Sequence, residues 1–218
     1  MNKIVIAIDG PSGAGKGTIS RTIAARLGYR HVDTGAMYRA VAWKALHDRM
    51  SVNEESAVAA LAERSTIEVE GGAVSIDGHD VTTAIRTPEI DKAAAAVARL
   101  PAVRAALVAR QRAVGREGGV VMEGRDIGTV VFPNADVKIY LDASAEERAR
   151  RRANDPAHTG SQSGQAAVAA AIQARDASDT TRAASPLTLA ADAVRIDTTG
   201  MPIDEVVERV LDVVKTKI

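Results

Sequence analysis

The sequence predicts an α/β fold of three layers, with helices on both faces of a parallel sheet of about five strands. Short runs of β-branched and apolar residues alternate with helical patterns along most of the chain. The first run, 4–8, is apolar at every position, which is typical of a strand that is buried on both faces. Only five of the 218 residues are aromatic (one Trp, three Tyr and one Phe), so Ala, Val, Ile and Leu must fill the core.

The N-terminal part of the chain contains two predicted strand–helix units. After the first strand, a glycine-rich turn leads into a helix over 18–27, which has its apolar residues on one face and Gly28 at its end. A second strand over 29–32 is followed by a helix over about 36–47. Because each strand is followed by a helix, the strands are expected to pair in parallel.

The segment 66–86 departs from this alternation. Residues 66–70 and 73–77 alternate between apolar and polar with a period of two on either side of two glycines, which predicts an antiparallel hairpin. An Ala-rich helical stretch follows, and Pro101 is expected to break it into two helices. We therefore expect a small antiparallel sheet inserted into the parallel fold.

The C-terminal half returns to the parallel pattern. Buried strands are predicted over 118–122, 137–141 and 193–197, and a closing helix over 202–215. Between them, the segment 153–165 lacks apolar periodicity and is rich in residues that favour loops. This segment is either a short mobile lid or an ordinary exposed connection.

Composition and charge exclude several classes of protein. The 28 basic and 28 acidic side chains cancel, so no overall field attracts nucleic acid or an anionic membrane. The chain has no cysteine, which excludes disulfides, thiolate nucleophiles and Cys-ligated zinc and fits a reducing compartment. The apolar run 4–8 is too short for a signal peptide or a membrane span. We expect a cytoplasmic monomer that binds neither nucleic acid nor membranes.

The strongest functional signal is the segment between the first strand and the first helix. Small residues let the backbone wrap closely around a phosphate, while successive N–H groups and the positive end of the helix dipole converge on the anion. Lys16 adds a full charge, and the spacing up to this lysine fits the P-loop, although Gly17 replaces the usual Ser or Thr. The segment predicts a P-loop NTPase fold and a phosphate-binding loop made of Gly10, Pro11, Ser12, Gly13, Ala14, Gly15, Lys16, Gly17 and Thr18.

Several arginines follow predicted strands or lie in the connections between them, where the carboxyl ends of strands can bring them together. These arginines are Arg39, Arg86, Arg104 and Arg125. Guanidinium groups bind phosphate bidentately, so a convergent set would hold a phosphomonoester firmly. Any one of them alone fits an exposed helix surface equally well, and the hypothesis therefore depends on their convergence.

Two groups of carboxylates accompany these arginines. Glu123 and Asp126 directly follow a predicted strand, a position from which a carboxylate beside a P-loop holds Mg²⁺ or its water shell. Either one is a candidate, and a salt bridge of Asp126 with a neighbouring arginine is the structural alternative. Arg175, Asp179 and Arg182 share one helical face at spacings of four and three. They form either an anion-binding group or a structural Arg–Asp–Arg ladder.

Taken together, these motifs resemble the bacterial cytidylate kinases of the nucleoside monophosphate kinase family over nearly the whole chain. The resemblance rests on the segments 9–18, 33–39, 85–87, 123–133, 141–144 and 175–176, with Asp179 and Arg182. It implies transfer of the γ-phosphoryl group of ATP to CMP or dCMP with Mg²⁺. It also implies a single kinase domain, 1–218, with a core (about 1–35, 105–152 and 165–218), an NMP-binding insertion (about 36–104) and a lid (about 153–165).

The resemblance assigns roles to individual residues. The implied catalytic residues are Lys16, Arg125, Asp126, Arg175 and Arg182. The loop 10–18 and Arg152 would bind ATP, and Thr18 and Glu123 would lie near the metal, Glu123 directly or through water. The implied CMP site contains Thr34, Tyr38, Arg39, Arg104, Arg125, Asp126, Arg175 and Asp179. Ala95 stands where some relatives carry a Ser that contacts cytosine, so that contact must be absent or replaced.

Two alternative functions are compatible with the same loop. One is a kinase of this fold that acts on another nucleotide or a small metabolite alcohol. The other is a P-loop regulator that binds a nucleotide without catalysis and acts through a partner. Phosphoryl transfer to a panel of acceptors distinguishes all three.

Overall fold

The computed structural model describes residues 3–156 and 164–217. The strands, in chain order, are β1 Val5–Asp9, β2 Arg30–Asp33, β3 Ile67–Glu70, β4 Ala73–Ile76, β5 His79–Asp80, β6 Val120–Gly124, β7 Val137–Asp142 and β8 Val194–Asp197. The helices are α1 Lys16–Leu27, α2 Thr34–His47, α3 Glu55–Arg64, α4 Pro88–Val97, α5 Pro101–Gly115, α6 Ala145–Ala153, α7 Gln165–Thr181 and α8 Ile203–Lys215. A short π-helical turn, Ile127–Val131, follows β6.

The central sheet has five parallel strands in the order β2–β6–β1–β7–β8. The register places Asp9 at the end of β1 opposite Gly124 of β6, and Asp33 at the end of β2 opposite Glu123. The carboxyl ends of these three strands therefore meet at one edge of the sheet, which is where open α/β sheets bind their ligands. The predicted five-stranded parallel sheet is confirmed.

Apolar helix faces cover both sides of this sheet. Ile6 and Ile8 of β1 point to the side of α1 and α8, where they pack with Ile23 and Val210. Met122 of β6 is buried in the cluster on the opposite face. Each fully buried side chain of this size contributes about 1.5–3 kcal/mol to the stability of the fold. The β-branched runs of the sequence thus form the rigid layer on which the cleft is built.

The chain between β2 and β6 has apolar cores of its own. Val41 of α2 and Leu61 of α3 are buried in one of them, together with residues of α4 and α5. The strands β3, β4 and β5 form a three-stranded antiparallel sheet, and Ile76 of this sheet packs with residues of α2. The predicted antiparallel sheet and the helix break at Pro101 are confirmed. The third strand, His79–Asp80, was not predicted because two residues are too few to show an alternating pattern.

Two helices begin before their predicted first residues. Helix α1 begins at Lys16 because Gly15 adopts the left-handed conformation, with φ of 91°, at its N-cap. Helix α2 begins at Thr34 because the carboxylate of Asp33 caps it, accepting a hydrogen bond of 3.0 Å from the backbone N–H of Ala36. Both corrections place functional side chains inside the first helical turn, where the orientation of a side chain is well defined.

The described helices include none that combines the length and the apolar composition needed for a bilayer span. Helix α6 ends at Ala153 and α7 begins at Gln165. Of the predicted lid, 153–165, residues 157–163 lie outside the described residues.

Candidate active site

The loop between β1 and α1 has the backbone of a phosphate-binding loop. Gly10 and Gly15 have φ of 145° and 91°, which L side chains rarely adopt. A Cβ atom on Gly10 would lie 2.0 Å from the carbonyl oxygen of Leu141, so only glycine lets the loop pass this strand. The first N–H groups of α1 and the positive end of its dipole therefore point to the loop.

Lys16 is the first residue of α1 and is only 7% exposed. Its Nζ atom donates a hydrogen bond to the carbonyl oxygen of Pro11, 2.7 Å away across the loop. Burial lowers the pKa of Lys16 to about 7, the charge of Arg125 acts in the same direction, and the carboxylates of Glu123 and Asp9 oppose both. A phosphate beside Nζ would raise this pKa again, since an opposite charge favours the protonated amine.

We expect the binding of a nucleoside triphosphate at about pH 8 to take up close to one proton per chain, because Lys16 changes from largely neutral to protonated. Calorimetric titration with a non-hydrolysable ATP analogue, in buffers of different ionisation enthalpy, measures this uptake as the slope of observed against buffer enthalpy. The Lys16→Ala variant provides the control and is expected to lose the slope. Equal enthalpies in all buffers for the unmodified protein would contradict the prediction.

Asp9 ends β1 and fixes the turn that follows β6. Its carboxylate accepts hydrogen bonds from the backbone N–H groups of Ile127 and Gly128, each at 2.8 Å. Burial raises the pKa of Asp9 to about 6, although both hydrogen bonds act to lower it. Asp126 is the residue at which this turn begins, so Asp9 helps to hold Asp126 in place.

The raised pKa of Asp9 predicts a stability difference that depends on pH. The native state keeps a proton that the unfolded chain releases above a pKa of 3.8, so the stabilisation is fully present below pH 3.8 and is lost as the pH rises through about 6. We expect the free energy of unfolding, relative to Asp9→Asn, to fall by about 3 kcal/mol between about pH 4 and about pH 7. Urea unfolding of both proteins at several pH values measures this difference. A constant or rising difference would contradict the prediction.

Glu123 lies beside the beginning of α1. A Cβ atom on Gly17 would be 3.5 Å from the Oε1 atom of Glu123, an ordinary contact distance, so the carboxylate lies directly beside the first turn of α1. The Nε2 atom of His31 lies 2.8 Å from the same oxygen, and the hydroxyl of Thr34 donates to the backbone carbonyl of Glu123 at 2.7 Å. Thr18 lines the same cleft. This part of the cleft therefore offers oxygen donors next to the phosphate loop.

Asp126 is paired with two arginines inside the cleft. Its carboxylate contacts Arg104 in a buried ion pair and lies 3.8 Å from the Nη2 atom of Arg182. The Arg104 guanidinium is 5.5 Å from the centroid of the Tyr38 ring, and burial raises the pKa of Tyr38 to about 12. Within residues 3–156 and 164–217, the Nε atom of Arg104 and the Nη2 atom of Arg182 are buried without a hydrogen-bond partner. Buried N–H groups need acceptors, so this pocket suits a ligand group that carries hydrogen-bond acceptors.

Asp179 of α7 holds three arginines behind the cleft. Its Oδ2 atom accepts hydrogen bonds from Arg125 at 2.9 Å and from Arg175 at 3.3 Å, and its Oδ1 atom lies 3.7 Å from Arg182. Burial alone would raise the pKa of Asp179, but the three positive charges outweigh burial and lower it. The predicted Arg–Asp–Arg ladder is present, and Arg125 at the end of β6 extends it.

A second carboxylate, Asp91 of α4, joins arginines from three other helices. Its Oδ1 atom accepts a hydrogen bond from Arg39 at 2.9 Å, and its Oδ2 atom lies 3.8 Å from Arg152. Its backbone carbonyl accepts a hydrogen bond from Arg175 at 3.0 Å. Arg152 also lies within hydrogen-bond distance, 3.3 Å, of the hydroxyl of Ser12 in the phosphate loop. Asp91 therefore connects α2 with the arginines beside the loop.

Most of the predicted site residues line one cleft of about 1260 Å³. The predicted residues in its lining are Ser12, Gly13, Ala14, Gly15, Lys16, Gly17, Thr18, Thr34, Tyr38, Arg39, Arg104, Glu123, Arg125, Asp126, Arg152, Arg175 and Arg182. Gly10, Pro11 and Asp179 lie outside this lining, and Pro11 and Asp179 accept hydrogen bonds from Lys16 and Arg125 within it. The structure thus brings the predicted arginines together, whereas their individual roles stay predictions.

Three residues of this region were not identified as site residues from the sequence. Asp9 was detectable, because a carboxylate at the end of the central strand lies next to any phosphate loop. Asp91 and Arg148 lie on helices, where a charged side chain usually indicates a solvated face. Arg148 instead donates a hydrogen bond to the carbonyl oxygen of Ser12 at 3.1 Å. The sequence carries no signal for this contact between distant segments.

Arginines from four helices line one cleft together with the phosphate loop. This arrangement serves the transfer of a phosphoryl group, and the class of protein is that of the P-loop kinases. Comparison with solved structures agrees at the level of the fold. A gluconokinase from Sinorhizobium meliloti 1021 has a TM-score of 0.51 at 12% identity, and the match covers 99% of this chain and 94% of that chain.

The cytidylate kinase family model matches residues 6–216, and the chain belongs to that family. A cytidylate kinase from Desulfitobacterium hafniense (strain Y51) is 50% identical, over 98% of this chain and 93% of the relative. A cytidylate kinase from Geobacillus sp. (strain WCH70) is 47% identical, over 100% of this chain and 99% of the relative. The resemblance found in the sequence motifs is confirmed.

Proposed function

We infer that the chain transfers the γ-phosphoryl group of ATP to CMP or dCMP, releasing CDP or dCDP and ADP. The observation that carries this inference is a phosphate loop that shares one cleft with buried arginine N–H groups that have no hydrogen-bond partner among the described residues, in a chain of the cytidylate kinase family. The phosphate loop suits a triphosphate, and the buried N–H groups of the arginines suit a polar base.

ATP is assigned to the loop side of the cleft. The N–H groups at the beginning of α1 would bind the phosphates, and Lys16 would neutralise the outer ones. Arg152 supports this assignment, since it already reaches the hydroxyl of Ser12. The guanidinium group of Arg152 would then lie beside the phosphoryl group that is transferred.

CMP is assigned to the pocket on the other side of Glu123. Arg39 and Arg125 line this pocket and would bind the nucleotide phosphate with their forked N–H groups. Arg104 and Arg182 each have a buried N–H group without a partner among the described residues, and these groups would donate to the acceptor atoms of cytosine. They would supply the polar contact that Ala95 does not provide.

We propose Mg²⁺ as the cofactor, bound together with ATP. The donor set fits this ion, because the hydroxyl of Thr18 and the carboxylate of Glu123 are hard oxygen ligands beside the phosphate loop. Asp126 is the weaker candidate, since its carboxylate is paired with Arg104 and Arg182. The described residues contain no group of three His, Asp or Glu arranged around a metal, so phosphate oxygens and water would complete the shell. When bound, Mg²⁺ neutralises charge on the phosphates.

The chain itself contributes positioning and fixed positive charge. A nucleotide phosphate is already anionic near neutral pH and needs no general base. Two anionic substrates repel each other, and Lys16, Arg125, Arg175 and Arg182 all line the cleft that would hold them. Asp179 and Asp126 hold the three arginines in place, and the carbonyl oxygen of Pro11 holds Lys16, so these charges offset the repulsion most strongly as charge shifts in the transition state.

The proposed division of the chain into a core and an insertion agrees with separate binding sites for ATP and CMP. We propose that 1–218 is a single kinase domain in which 36–104 forms the NMP-binding insertion on a core of 1–35, 105–152 and 165–218. The apolar cores of α2–α4 and β3–β5, which are separate from those of the central sheet, support this division, and α5 crosses the boundary and contributes Leu107 to one of them. The lid over 153–165, the monomeric state and the location in the cytoplasm stay predictions.

An assay of ADP release with CMP, dCMP, UMP, AMP and GMP tests the proposed function. We expect kcat/KM to be at least about tenfold higher for CMP and dCMP than for the other acceptors, because O2 and N3 of cytosine can both accept hydrogen bonds from the N–H groups of Arg104 and Arg182, whereas N3 of uracil carries a hydrogen. Activity should disappear with excess EDTA and return with added Mg²⁺. Preference for another acceptor would favour the alternative kinase. Tight nucleotide binding without transfer to any acceptor would favour the regulator.

A further inference from the structure

Asp91 occupies an unusual position among the carboxylates of the cleft. Its two oxygens are divided between elements, with Oδ1 on Arg39 of α2 and Oδ2 toward Arg152 of α6. Its side chain is 24% exposed, whereas that of Asp179 is 2% exposed. An incoming anion can therefore reach the Asp91 carboxylate and the guanidinium groups around it.

The arginines around Asp91 repel one another. Burial lowers the pKa of Arg152 and of Arg175, the charge of Arg39 lowers both further, and Asp91 is a negative charge that opposes this in each case. Arg39 keeps a raised pKa despite its burial because Asp91 and Asp33 outweigh the desolvation. Asp91 thus offsets part of the repulsion among these three side chains, together with Asp179 at Arg175 and Asp155 at Arg152.

The contacts of Asp91 with Arg39 and Arg152 are also weaker than those a phosphate would make. Its Oδ2 atom lies 3.8 Å from Arg152, beyond hydrogen-bond distance, and its Oδ1 atom accepts a single hydrogen bond, from the Nε atom of Arg39. A phosphate carries more charge and several acceptor oxygens, and it binds guanidinium forks bidentately. Phosphate oxygens are therefore expected to displace the Asp91 carboxylate from these guanidinium groups.

We propose that the Asp91 carboxylate is an internal anion that holds Arg39 and Arg152 together, next to Arg175 on its backbone carbonyl, until substrate phosphates bind, and that these phosphates then displace the carboxylate from Arg39 and Arg152. The inference rests on the proposed function for the assignment of these arginines to phosphate groups. Asp91 is a positioning residue, because it acts through the arginines and not on the reacting atoms. Its presence lowers the affinity for phosphates while it keeps the site assembled.

The binding of pyrophosphate, measured by calorimetry in a buffer without other multivalent anions, tests the proposal. We expect Asp91→Asn to bind pyrophosphate about tenfold more tightly than the unmodified protein, because the competing charge is gone. Its Tm in the same buffer should be lower by about 3 °C, and its gain in Tm on adding pyrophosphate should be larger. Asp91→Glu keeps the charge and is expected to behave like the unmodified protein.

Glu89→Gln provides the matched control, since it removes the same charge from an exposed position of the same helical turn. We expect this variant to leave both measurements unchanged. Equal or weaker binding of pyrophosphate by Asp91→Asn would overturn the proposal. A gain in pyrophosphate affinity in Glu89→Gln as large as that in Asp91→Asn would overturn it as well. If Asp91→Asn does not fold, Asp91→Ser takes its place with the same expectations. The readout needs no phosphoryl transfer, so it separates a failure of this proposal from a failure of the proposed function.

Discussion

Replacing Lys16 with alanine is expected to lower kcat about a thousandfold or more while the protein stays folded. Lys16 is the one charged residue of the loop 10–18, and its amine is held 2.7 Å from the carbonyl oxygen of Pro11. A charge fixed at this point stabilises the transferring phosphoryl group without reorganisation. The KM for CMP should change little, since the acceptor arginines lie on other elements. Steady-state assays of ADP release at saturating ATP and CMP measure both constants.

Lys215→Ala serves as the control for the loss of a lysine charge. Lys215 is exposed in the last turn of α8, outside the cleft, and its removal is expected to leave kcat unchanged. The Tm of both variants shows that the fold is retained. A Lys16→Ala protein with nearly normal kcat would contradict the role given to the loop, whatever its affinity for ATP.

The features that the sequence predicts well are determined within a few residues of the chain. The run 4–8 is apolar at every position because β1 lies between β6 and β7 in the middle of the sheet and is buried on both faces. Gly10 is needed where the loop passes Leu141, and Lys16 follows at the spacing that the loop imposes. Local geometry and composition therefore sufficed for the central sheet and the phosphate loop.

The features that the sequence does not predict depend on contacts between distant segments. Asp91 and Arg39 are 52 residues apart in the chain, and their pairing depends on how α4 packs against α2. Asp126 was open to two interpretations from the sequence, and the structure pairs it with Arg104, 22 residues away. A charged residue on a helix has the same pattern whether its face meets solvent or a cleft, so periodicity cannot separate these cases.

Asp126→Ala is expected to lower the free energy of unfolding by about 3–5 kcal/mol and to raise the KM for CMP about a hundredfold. Arg104 and Arg182 are 3% and 4% exposed, so removing Asp126 leaves the buried Arg104 guanidinium without its carboxylate partner and Arg182 with Asp179 alone. The two guanidinium groups would repel each other and turn away from the positions that suit a polar ring. The KM for ATP should change by much less, since Lys16 and the loop keep their contacts. Urea unfolding and steady-state kinetics measure these effects.

An exposed ion pair gives the matched comparison for this variant. Arg195 pairs with Asp142 at 2.7 Å, but its side chain is 60% exposed, so Arg195→Ala is expected to lower stability by less than about 1 kcal/mol. The difference between the stability losses of the two variants measures how much burial adds to the cost of removing one partner of an ion pair. Equal rises in the KM for ATP and for CMP in Asp126→Ala would mean that Asp126 holds the whole cleft. This result would contradict the assignment of cytosine to the pocket between Arg104 and Arg182.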